Sequence, residues 1–105
     1  MRCLLKAEFC TETGNAAIKK GSLGKTIRSI LDDQKPEAAY FLASNGKRAG
    51  YLFVEMQDAS QIPALAETWF HAFQASVEII PVMTPDDLKK AELAITKAVK
   101  KYGRR

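Results

Sequence analysis

The order of hydrophobic periodicities along this chain predicts an α+β fold: strand, helix, strand, strand, helix, strand, then one added helix. Two local observations support that order. Asn45-Gly46 separates two strand-like runs, 38–44 and 47–56, and both residues tolerate the positive φ that a type I′ hairpin turn requires. Pro81 falls inside the last strand run, 76–83, and a proline, having no N–H to give a neighbouring strand, belongs at a sheet edge. The β-α-β-β-α-β order is the ferredoxin-like motif, a four-stranded antiparallel sheet whose second and fourth strands are the edges. Topology and proline reach the same edge independently.

Taken in order, residues 2–9 alternate as a strand, with Cys3, Leu5, Ala7 and Phe9 on one side. Thr11 to Gly14 is turn-rich. Asn15 to Lys20 and Ser22 to Gln34 are helical, and Leu23, Ile27, Ile30 and Leu31 form an apolar stripe. Gly21 and Gly24 weaken the early part, so a kink or a separate short helix is expected there. Pro36 ends the segment. After the hairpin, Asp58 or Ser60 caps a helix with Pro63 in its first turn and Ile62, Leu65, Ala66, Trp69 and Phe73 on its buried side. Thr84-Pro85-Asp86-Asp87 starts the last helix, where Leu88, Ala91, Ile95, Ala98, Val99 and Tyr102 share one face and Gly103 closes it. The chain is expected to form one domain, 1–105, with a core over 1–83 and an appended helix over 84–105.

Composition narrows the class of function. No apolar run approaches the roughly 20 residues a membrane-spanning helix needs, and Met1-Arg2-Cys3-Leu4-Leu5-Lys6 is broken by charge too early for a secretory signal, so a cytoplasmic location is expected. Cys3 and Cys10 fit no redox or zinc spacing, so plain thiols on opposite faces of the first strand are expected, with no metal and no cofactor. Residues 1–83 carry nine basic and nine acidic side chains. The net charge of +4 lies wholly in 84–105, as seven basic side chains against Asp86, Asp87 and Glu92. Because the body is neutral, nucleic acid is not the expected partner.

Both core helices of this topology cover one face of the sheet. The helix side is expected to carry Cys3, Leu5, Ala7 and Phe9 with Leu52, Val54, Met56, Val77 and Ile79. The opposite face then shows Leu4, Lys6, Glu8, Tyr51, Phe53, Glu55, Glu78, Ile80 and Val82. An apolar cluster of that size on one face marks an interaction surface, and a second copy closing on it is the commonest solution. Lys6, Glu8, Tyr51, Phe53, Glu55 and Glu78 are the candidate ligand-binding residues, because charged groups buried among apolar ones must pair or shift their pKa values. The alternative is that Lys6 pairs with a glutamate only to set the register of a dimer.

Lys35-Pro36-Glu37-Ala38-Ala39-Tyr40-Phe41, Asp58-Ala59-Ser60-Gln61-Ile62-Pro63-Ala64 and Val82-Met83-Thr84-Pro85-Asp86-Asp87-Leu88 resemble a family of small bacterial proteins of uncharacterised function. More distantly the layout is similar to the dimeric α+β-barrel superfamily. That resemblance implies a homodimeric barrel, and its functions include cofactor-independent monooxygenases, isomerases and stress-responsive proteins. The expected function is accordingly a homodimer binding a small organic ligand in a sheet-lined pocket. A monooxygenase- or isomerase-like enzyme and a non-catalytic oligomeric or partner-binding protein remain open. A pantothenate-synthetase label attached to some family members does not suit a chain of this length without nucleotide-binding histidine motifs.

Four weaker signals have plain explanations. Gly21-Ser22-Leu23-Gly24-Lys25-Thr26 suggests a phosphate loop, but Lys19 stands where the first glycine belongs. Gly50-Tyr51-Leu52-Phe53-Val54-Glu55-Met56 partly matches the aromatic strand of RNA-recognition modules, yet Leu4 replaces the second stacking aromatic and three glutamates share the face. His71 falls with Glu67 and Gln74 on a helix side away from Trp69, as a solvated residue would. Lys89, Lys90, Lys97, Lys100 and Lys101 suit a solvated face near a helix C-terminus.

Overall fold

A computed structural model describes residues 1–103. The first strand, β1 (Arg2–Glu8), leads into α1 (Thr11–Lys20) and α2 (Leu23–Gln34). The hairpin β2 (Ala38–Ser44) and β3 (Lys47–Glu55) follows, then a 3-10 turn at Ala59–Gln61, α3 (Ile62–Phe73) and β4 (Ser76–Pro81). Two short helices, α4 (Pro85–Lys90) and α5 (Glu92–Tyr102), end the described chain. The sheet has the order β2-β3-β1-β4 and every pairing is antiparallel, so β1 and β3 are central and β2 and β4 are edges. Asn45 and Gly46 carry positive φ, 54° and 76°, as the tight hairpin demands.

Two local expectations change. Thr11 to Gly14 is the first turn of α1 rather than a break, because Gly14 packs under Arg48, whose guanidinium donates to Asn15 Oδ1 at 2.9 Å. β1 ends at Glu8, so Cys10 lies beyond the strand at the N-terminus of α1, not on its opposite face. The weak spot at Gly21 is a full break. Its φ of 73° closes α1, and α2 starts afresh at Leu23.

The core lies between the sheet and α1–α3. Cys3, Leu5, Ala7, Phe9, Leu52, Val54 and Met56 from the strands meet Ile30, Trp69 and Phe73, with Val77 and Ile79 partly buried at the margin. Phe9 stacks on Phe73 with ring centroids 4.4 Å apart and on Trp69 at 5.8 Å. Gln34 joins α2 to α3 by accepting from Trp69 Nε1 at 3.2 Å and donating to the Leu65 carbonyl at 3.1 Å. The one buried polar handle on the indole is thereby satisfied.

The C-terminal helices stand apart from this core. Every residue from Pro85 to Gly103 except Ala91 is exposed, and the single helix expected there is interrupted at Ala91, where α4 runs on into α5. The molecule measures 59 × 30 × 21 Å with a radius of gyration of 17.7 Å, against about 13 Å for a compact domain of this length. The excess is the arm.

Candidate functional site

Strand register sorts the open face into rows. Tyr40 is opposite Tyr51, Tyr51 opposite Lys6 and Lys6 opposite Glu78, so one row crosses all four strands. The next row, toward the N-terminal end of β1, is Ala38, Phe53, Leu4 and Ile80. On the other side lie Leu42, Ala49, Glu8 and Ser76. Among the described residues no helix covers these rows. Tyr40 is 62% exposed, and Leu42 and Ile80 are exposed as well.

The central row holds a connected polar group. Lys6, three-quarters buried, lies 3.9 Å from a Glu78 carboxylate oxygen and 5.2 Å from the centroid of the Tyr51 ring. The Tyr51 hydroxyl is 3.1 Å from Ser44 Oγ. Glu8 accepts from Asn45 Nδ2 at 2.6 Å and from Ser44 Oγ at 3.4 Å. Lys6, Glu8, Tyr51 and Glu78 are therefore brought together, and Phe53 provides the apolar wall beside them. Glu55 is not part of the group. It shares the face but sits at the far end, where it pairs with the Met1 amine. Ser44 and Asn45 join the cluster unforeseen. The hairpin itself contained that signal, since a two-residue turn sets Ser44 opposite Lys47 and hence Tyr40 opposite Tyr51.

A row of this kind offers one cation, a phenol and flat rings on an apolar floor. It suits a planar molecule bearing an anionic or carbonyl oxygen, with the ammonium and phenol as donors and the rings as stacking surface. Glu8 and Glu78 would repel a phosphate chain.

Other candidates resolve plainly. His71 Nε2 lies 3.0 Å from Glu67 Oε1 on an exposed helix face. The glycine-rich hexapeptide is the joint between α1 and α2. The Cys10 thiol is held below its ordinary pKa, chiefly by the Thr13 backbone N–H and then its side chain, while Cys3 is fully buried. A cleft of about 330 Å³ between α2 and α3 is lined by Asp33, Gln34, Glu55, Gln61 and Thr68. An apolar groove of about 380 Å³ runs between α3 and β4, lined by Ile62, Phe70, Val77 and Ile79. Among the described residues no three His, Cys, Asp or Glu side chains are placed to share a metal ion, and no helix is long and apolar enough to cross a membrane.

Residues 10–96 match a family profile described as a domain of unknown function, DUF3303. The chain belongs to that family. The match runs through α4 and into α5, so the family's pattern includes the start of the arm of this DUF3303 member as well as its core. Neither the curated proteins nor the solved structures contain a match to it.

Proposed function

We propose that this DUF3303 protein works as a homodimer, closed through the open face of its sheet as a dimeric α+β barrel, and that the enclosed space holds a small planar organic acid. The observation that carries the reading is the central row. A largely buried Lys6 stands beside Tyr51 and Glu78 in the middle of an apolar face that no helix among the described residues covers. A lone surface lysine would be mostly exposed, and a purely apolar interface would exclude it. Closing a twin over the row removes Tyr40, Leu42 and Ile80 from water and strengthens every charge contact inside. The reading concerns binding and includes no chemical step.

One specific contact favours a second reading, in which the Lys6–Glu78 pair merely sets the register between subunits. Lys6→Met separates the two. With benzoate as the probe in calorimetry, the wild-type dimer should bind saturably. Lys6→Met should lose at least tenfold in affinity while keeping its dimer mass. Loss of the dimer instead would favour the register role, and unchanged benzoate binding would remove Lys6 from the site.

A further inference from the structure

We infer that the C-terminal arm is an exchanged element, α4 and α5 crossing to a second copy and laying their apolar stripe along that copy's β2 edge. The inference rests on the face-to-face dimer proposed above and adds the part of the interface the sheet does not supply.

Three observations carry it. The arm is amphipathic without a partner of its own. Leu88, Ala91, Ile95, Ala98, Val99 and Tyr102 fall on one side of a nearly continuous helix, and of these Leu88, Ile95, Val99 and Tyr102 are large and exposed. A helix of this composition draws most of its stability from packing that stripe. The receiving surface is equally unfinished. Tyr40, Phe41 and Leu42 are consecutive exposed residues on an edge strand, an arrangement soluble proteins cover. Tyr40 and Leu42 stand on the open-face side, where the second copy lies, while Phe41 lies on the helix side against Gly50.

Topology brings the two together. With the order β2-β3-β1-β4, a two-fold axis parallel to the strands and midway between facing sheets sets β4 of one copy over β2 of the other. The two strands are antiparallel, so Pro81 at the end of β4 comes level with Ala38 at the start of the partner copy's β2. A helix continuing from β4 then starts beside that edge.

The size agrees. Four strands averaging about seven residues cover about 19 by 23 Å, or roughly 440 Å². A helix of 18 residues and about 10 Å width adds about 270 Å². Only both together approach the roughly 800 Å² per partner of a stable interface.

The test uses the full chain in a Cys10→Ser background, with one population carrying Val99→Cys and another Leu42→Cys. Mixing and mild oxidation should give a disulfide-linked pair at least tenfold faster than a control mixture of Leu93→Cys, on the opposite side of α5, with Leu42→Cys. Ile95→Asp with Val99→Asp should raise the dimer dissociation constant at least tenfold while leaving Trp69 fluorescence unchanged. If light scattering shows a dimer but Val99→Cys links no faster than Leu93→Cys, the arm exchange fails and the sheet-to-sheet dimer stands. A single protomer in solution at micromolar concentration overturns both.

Discussion

Tyr51 shows how much a single side chain depends on its neighbours. Its ring lies against Lys6 and its hydroxyl against Ser44, so it orients both the cation and the Glu8–Asn45 corner. Gln34 does the same for the core, since its side chain accepts from the Trp69 indole N–H. Gln34→Leu leaves that donor unpaired in an apolar setting and should destabilise the fold by about 1–3 kcal/mol in urea unfolding monitored by fluorescence. The thiols provide a second check. Cys10 is half-buried with a lowered pKa and Cys3 is wholly enclosed, so native protein should give one fast equivalent with a disulfide reagent and two after denaturation. Two fast equivalents would mean that β1 opens readily.

Among the elements, the arm is the one whose stability is separable from the core. Thr84 accepts from the Asp87 backbone N–H at 3.1 Å, and Asp87 accepts from the Thr84 N–H at 3.0 Å, completing a capping box. Thr84→Ala should cost about 1 kcal/mol of helix stability, read as lost ellipticity at 222 nm with the near-ultraviolet signal of Trp69 intact. The Thr84 backbone N–H, then its hydroxyl, holds the Asp87 carboxyl below its ordinary pKa. A carboxyl depressed on folding adds stability that is present above the unfolded pKa of about 4 and disappears as the pH falls through the folded value. Helicity of the arm should therefore drop on acidification below about pH 4, and Asp87→Asn should flatten that dependence. The elements also show which signals were legible. Asn45-Gly46 and Pro81 placed the hairpin and an edge, because each residue has a backbone requirement independent of context. The start of α1 was not legible, since Thr11 to Gly14 looks like a turn until Arg48 of β3 is packed over it.

For the whole molecule the balance of covered and uncovered surface is decisive. One sheet face is sealed by α1–α3, the other is open, and a helical arm extends the molecule to 59 Å. A chain so arranged gains stability by association, so its melting temperature should rise with protein concentration. A concentration-independent melting temperature from about 1 to 100 μM would argue against any self-association.

By itself the sequence determined the element order, the sheet topology and the identity of both sheet faces, since alternation and turn chemistry are local. It also separated the charge of 84–105 from the neutral body. Only the tertiary structure decided that Glu55 leaves the cluster for the Met1 amine while Ser44 and Asn45 join it, and that the last two helices leave the core. Those outcomes depend on which strands lie side by side and where a helix points after its strand ends, and neither is encoded in the periodicity of any one segment.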